Sequence, residues 1–493
     1  MESLIIALND PLDFIRKKAA EDLGLMQDPK VVEPLISVIK NDKKYMQAIA
    51  VESLIKLGNL SIDSLMNLLK DSDESVCKFS IFALGKIKAN KAVIPLINLL
   101  SVDTAIDIRK AAIKALGHLG DRNAVEYLLP LLSDDTQNEI RYEAIEALCY
   151  IGDKSSAKFL IEALKNNDKN IRKLSAKALG RLHDSRSVEP LIYILNNDEK
   201  IIASEAAKSL GCLGNFYAVE HLISKLSCDD CGLRASAAEA LGRIRDCRAL
   251  KPLIKALNDE DLYVRIAVVN SLGHLGNVDA IESLSNAIHD VNWDAHRAAT
   301  KREYKFSSEE PGMEIIRWWF DDLTNLHIAA IKAIASLDLV YSAGPLLSAL
   351  VAEDTIIRNT AAEMLGKIRC NGAVEPLINS LEKEDIAVSA AKALGEIGDQ
   401  RAVDSLINSL HHEFSGLRKA AAEALGKIGD VKALGPLIDA FQQDRDLKVT
   451  IACAEALGTL GDSRARISLL NALNSEIGVI RISAKKALEN LDK

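Results

Sequence analysis

Aromatic residues make up only 4% of this 493-residue chain, and three of them are tryptophan. Single-stranded nucleic acid is commonly held by stacking bases on exposed rings, so the scarcity counts against that function. Long apolar runs are missing as well: none approaches the ~18 residues of a membrane helix. Eight cysteines are scattered along the length, too thinly for a disulfide framework, which fits a reducing compartment. The opening segment MESLIIALND has an acidic second residue and a short apolar stretch, where a secretory leader has a basic start and a cleavage site. A cytoplasmic protein without membrane contact is expected. Positive charge is in deficit, with 61 Lys and Arg against 70 Asp and Glu and a net charge of −9, which disfavours a general nucleic-acid binder. No GxxxxGK[ST], GxSxG or HExxH occurs, so phosphate-loop, serine-hydrolase and zincin chemistry have no anchor.

What the chain does have is one module used again and again. VRIAVVNSLGHLGNVDAIESLSNAI from Val264 aligns with IRNTAAEMLGKIRCNGAVEPLINSL from Ile357 and LRKAAAEALGKIGDVKALGPLIDAF from Leu417. The first glycine of the LGxLG element serves as a phase marker. It falls at Gly24, Ile55, Gly85, Gly117, Cys149, Gly180, Gly211, Gly242, Gly273, Tyr304, Ala335, Gly366, Gly395, Gly426, Gly458 and Glu489. Those are sixteen copies over 465 residues, an average step of 31. The positions at 304 and 335 follow from spacing alone.

Each copy reads as two helices. The stretch after the marker, such as AVEPLINSL, is apolar at helical spacing with proline in its first turn. The VRxxAAxALGxLG stretch carries an apolar stripe rich in alanine, which lets a neighbour come close, and it ends in glycine. One such pair cannot bury its own stripe, so the copies must stack into an α-solenoid. The chain starts inside a first helix and finishes inside a second, so residues 1–493 are expected to form one continuous all-α repeat body.

The pattern VRxxAAxALGxLGDxxAVxPLIxAL resembles the HEAT-like repeats of the phycobilisome-lyase type over essentially the whole chain. The resemblance implies a curved superhelix whose second helices line the concave side. It implies an activity less sharply, because the same unit serves bilin lyases, hydroxylases and pure scaffolds.

Arginine stands eight places before the marker in nine copies, including Arg109, Arg141, Arg172, Arg234 and Arg265. Aspartate stands four places after it in eight, including Asp121, Asp153, Asp184 and Asp246. Charges recurring in this way are expected to form an inter-repeat ladder of charge-assisted hydrogen bonds. Cys228 and Cys231 in CDDC have zinc-knuckle spacing, but Cys212 and Cys247 lie at the far ends of second helices, so four ligands do not converge and no metal is expected. Deoxyhypusine hydroxylase, a relative in fold, holds iron through several His-Glu pairs. Here only His412-Glu413 is present, so no catalytic residue and no cofactor are assigned.

Charge is distributed unevenly. The outward face of the second helix should comprise marker −7, −3 and +1, four residues apart. Over the sixteen copies those positions hold 20 Lys or Arg and 8 Glu. The +1 column runs Lys56, Lys86, His118, Tyr150, Arg181, Cys212, Arg243, His274 and Lys305. A concave surface would focus that potential on an acidic protein, with Lys86, His118, Tyr150, Arg181, Arg243 and His274 in contact. The expected function is therefore a non-enzymatic scaffold for an acidic partner. The alternative, a lyase or chaperone acting on a bilin or other tetrapyrrole, rests on the resemblance; a nucleic-acid-binding solenoid comes third.

The segment EPGMEIIRWWFDD holds two of the three tryptophans. In register it is a degenerate copy at about 290–325, with Tyr304 at the glycine position. Trp319 then falls on the core leucine column and Trp318 among small or aliphatic residues. Phe320 occupies a column that is elsewhere polar, which makes it an expected docking point, and KFSSEEPG reads as a loop.

Overall fold

The computed structural model describes residues 1–133, 137–288 and 325–492. Every element among them is an α-helix or a short 3-10 helix, with no strand, and the α-solenoid expected from the sequence is present. The helices form two compact units, Met1–Ala240 and Leu241–Lys493.

One copy shows why the sequence folds this way. Asp168 caps the second helix Lys169–Leu182 by accepting from the Asn170 N–H at 2.7 Å, satisfying one of the donors that a helix start leaves unpaired. The helix buries Ile171, Ala176, Ala178, Leu179 and Leu182. Asp184 then accepts from the Arg186 N–H at 2.9 Å and opens the 3-10 turn Ser185–Ser187. That turn feeds the first helix Val188–Asn197, which buries Val188, Leu191, Ile194 and Leu195. Aspartate after the marker is thus the cap of the next turn in almost every copy that carries it.

The two glycines of LGxLG do different work. The later one ends the helix in left-handed backbone, as at Gly214 with φ +66, where a side chain would be strained. The marker glycine lets second helices touch: a Cβ on Gly211 would lie 2.7 Å from the Ala240 Cα. This corrects the expectation that the marker glycine eases the helix end, the role in which Tyr304 was placed. Tyr304, Lys305, Trp318, Trp319 and Phe320 all lie outside the described residues.

The same contact fixes the order of the stack. Each marker glycine meets the residue two places before the next marker, as Gly117 meets Ala147 and Gly395 meets Ala424. Gly273 meets Ala333, which stands two places before Ala335. The second helices marked 273 and 335 are therefore direct neighbours. The first helix Ile281–Ile288 and the helical segment 325–335 flank residues 289–324, so the degenerate copy expected at about 290–325 lies almost wholly outside the described residues.

Within each unit, successive second helices pack along their length whereas first helices make little contact with one another. The second helices of each unit therefore form one closely packed row.

Candidate functional site

The +1 residues are solvent-exposed near the ends of these second helices. In the first unit Lys56, Lys86, His118, Tyr150, Arg181 and Cys212 are all exposed; in the second unit so are Arg243 and His274. The first-unit stripe is ordered by its own contacts. The Lys86 ammonium sits 5.5 Å from the centre of the half-exposed Phe82 ring. The His118 and Tyr150 rings are 5.4 Å apart and tilted at 45°. The Arg181 guanidinium lies 5.6 Å from the Tyr150 ring centre and donates from Nη1 to the Cys149 Sγ at 3.8 Å. Tyr150 is thus held between a histidine and an arginine while 56% exposed. Pairings of this kind stiffen a stripe at modest energetic cost, each cation–ring contact stabilising by about 0.5–1 kcal/mol at exposed sites.

The −7 and −3 columns behave differently from the expectation. At −7, Lys78 and Lys110 are half-buried and Ala235 is buried. Lys78 pairs with Asp107 at 3.4 Å, Lys110 with Glu139 at 2.7 Å and Lys114 with Glu143 at 2.9 Å, each acid belonging to the following copy. Part of the positive charge read from the sequence is therefore neutralised inside the stack. In the second unit two +1 lysines are matched instead: Lys427 pairs with Glu396 of the preceding copy at 2.6 Å, holding that carboxyl below its usual range, and Lys367 pairs with Glu363 of its own helix at 2.7 Å.

Helix Lys169–Leu182 is the departure. Its Lys173, Lys177 and Arg181 occupy −7, −3 and +1, all exposed, and among the described residues none of them forms an ion pair within 4.0 Å. Three like charges at i, i+4 spacing repel, each pair by a few tenths of a kcal/mol. Sequence reasoning singled out Arg181 and passed over Lys173, Lys177 and Phe82. The signal was there: no acid stands opposite Lys173 in the next copy, where Ile201 occupies the place that Asp107 and Glu139 fill elsewhere.

The charged ladder is two devices, built on different pairs. Arg172 sends Nη1 to the Asn166 and Asn167 carbonyls of its own copy, at 3.0 and 3.1 Å, and forks Nε and Nη2 onto Asp198 of the next, both at 2.8 Å. Arg418 repeats this with the His412 and Glu413 carbonyls and Asp444, and holds the Asp444 carboxyl below its usual range. Arg234 reaches the Cys228 carbonyl at 2.9 Å, and Arg141 and Arg265 are buried at the same position; Arg109 occupies it too. The aspartate column instead caps: Asp121 accepts from Asn123 N–H at 2.8 Å and Asp153 from Ser155 N–H at 2.8 Å. Asp184 and Asp246 also grip Arg186 and Arg248, two residues on, and Arg186 Nη2 donates across copies to the Lys154 carbonyl at 3.1 Å.

Among the described residues no group of three or more His, Cys, Asp or Glu could hold a metal, and no helix is long and apolar enough to cross a membrane.

The chain belongs to the HEAT repeats: that family model matches residues 1–80, 62–149, 125–211, 219–302 and 374–456. The model of the PBS lyase HEAT-like repeat matches residues 451–475. No curated protein matches. Among solved structures, importin beta in an ammonium sulfate condition is similar with 13% identity and TM-score 0.56, over 100% of this chain and 79% of that one. Kap95p, in a structure describing its binding to RanGDP, has 11% identity and TM-score 0.52 over 100% of this chain and 84% of that one. CpcE and CpcF of phycocyanin lyase from Nostoc sp. PCC7120 share 24% identity over 54% of this chain and 94% of that one, with TM-score 0.29.

Proposed function

We propose that this HEAT-repeat chain is a non-enzymatic scaffold whose first unit binds an acidic protein on its second helices, centred on Lys173, Lys177 and Arg181. The carrying observation is that these three cations are exposed and aligned with no ion-pair partner among the described residues, while Lys78, Lys110 and Lys114, at equivalent places two and three copies earlier, pair with acids of the following copy. A row of unmatched charge raises the local concentration of an oppositely charged partner and speeds its encounter. Kap95p, a solenoid of the same fold, binds RanGDP, which is consistent with a protein partner here. Arg243 and His274 extend the reading to the second unit. Phe320 remains a proposed docking residue, to be tested by Phe320→Ala once a partner is in hand.

The test is affinity purification from the native cell with mass spectrometry, followed by binding measurements on the partner recovered. The triple variant K173E/K177E/R181E should lose that partner while keeping its helical circular dichroism, and the wild-type affinity should fall as salt is raised. The control K78E/K110E alters lysines already paired internally and should affect stability more than binding. Retention of the partner by the triple variant would sink the proposal. A bilin or haem that co-purifies with visible absorbance would replace it by the tetrapyrrole reading.

A further inference from the structure

Resting on that binding face, the geometry points to the form of the partner: we infer that it presents two acidic groups on the order of 27 Å apart with an apolar residue between them, a span that an extended segment covers in about eight residues. From Lys86 to Arg181 the +1 stripe has a cation at each end and rings in the middle. Lys86 stands beside Phe82, then come His118 and Tyr150 in contact, and Arg181 closes the row. Lys86 and Arg181 are three copies apart. Packed helices are spaced by about 8–10 Å, so the two cations are on the order of 27 Å apart along the row. An extended chain rises about 3.3 Å per residue and covers that distance in about eight. A helix, at 1.5 Å per residue, would need about eighteen.

The middle of the stripe offers apolar surface: Tyr150 contacts His118 and the Arg181 guanidinium, yet Tyr150 and Phe82 stay 56% and 47% exposed, area that a leucine or valine covers well.

The experiment measures fluorescence anisotropy of labelled probes with the full chain. One peptide carries two Asp-Asp pairs separated by seven uncharged residues with leucine at the centre; a second has the same composition with the pairs two residues apart; the third probe is a 20-nucleotide oligo-dT. The spaced peptide should bind at least about tenfold more tightly than the compressed one. Lys86→Glu should weaken the spaced peptide about tenfold and the compressed one much less, and Tyr150→Ala should weaken the spaced peptide alone. Equal binding of the two peptides, or indifference to Lys86→Glu, overturns the register while leaving the acidic-partner reading in place. Loss of neither peptide in K173E/K177E/R181E overturns that reading instead. Tighter binding of oligo-dT than of either peptide assigns the stripe to nucleic acid.

Discussion

Replacing Gly395 by alanine sets two effects of known sign against each other. Inside an exposed helix the change is favourable, because glycine costs about 1 kcal/mol relative to alanine. Gly395 lies in the helix Ala387–Ile397, yet its new Cβ would sit 2.7 Å from the Ala424 Cα and 2.9 Å from the Ala424 Cβ. Carbon atoms in contact settle at about 3.5–4.0 Å, so the two helices must part by about 1 Å. The obstacle is backbone, which cannot rotate aside as a side chain would. Overpacking of this kind costs about 1–3 kcal/mol, which should outweigh the propensity gain and leave a net loss of up to about 2 kcal/mol. Gly435 is the control, since nothing lies within 4 Å of its added Cβ and other copies place Glu33, Glu189 and Glu375 there, each before a proline. Urea denaturation followed by circular dichroism should move the midpoint down for Gly395→Ala and leave it level or higher for Gly435→Ala. A Gly395→Ala protein as stable as its parent would refute the role given to the marker glycine, and with it the account of why second helices pack so closely.

Arg418→Met should destabilise by about 3 kcal/mol, because it strands the Asp444 carboxylate, whose side chain is 6% exposed, between copies. The depressed Asp444 carboxyl contributes stability that is fully present above its unfolded-state value and is lost as pH falls through the folded one. Acid unfolding should therefore be shallower in R418M/D444N than in the parent, and equal slopes would contradict the pairing. Asp121→Ala removes the acceptor for the Asn123 N–H and should cost about 1 kcal/mol by thermal melting. At the equivalent cap Asp462, Arg464 and its own backbone N–H hold the carboxyl down to about 2; an NMR titration finding an ordinary value would show that the Arg464 grip is absent in solution.

Period, helix pairing and stacking were legible in the sequence because each depends on residue type at fixed spacing: apolar stripes at 3.6 residues, a capping aspartate, a terminating glycine. What was not legible depended on which copy a side chain reaches. Arg172 recurs in phase with Asp184, yet its partner is Asp198, 26 residues on, because its fork points across the joint. The two glycines look alike as letters, but Gly211 answers to a neighbouring helix and Gly214 to its own φ. Charge counted by column overstated the face, since Lys110 and Lys114 end on Glu139 and Glu143. The step at 304 matched the period by length alone, whereas the contact of Gly273 with Ala333 shows which described second helices meet on either side of it.

That last distinction bears on where function sits. A repeat stack has one sequence problem, how each copy meets the next, and most of its residues are explained by that meeting. Lys78 and Lys110 are, because Asp107 and Glu139 face them. In the copy after the one carrying Lys173 the acid is replaced by Ile201, 66% exposed, so the stack lacks an ion pair and shows an apolar surface to water. Neither change helps the fold: surface pairs stabilise by only a few tenths of a kcal/mol, but unmatched like charges four residues apart oppose the helix by a similar amount. Lys173 without an ion-pair partner among the described residues, and Ile201 exposed at the place of its acid, are left unexplained by the stack, and they are the surface we propose for an acidic partner.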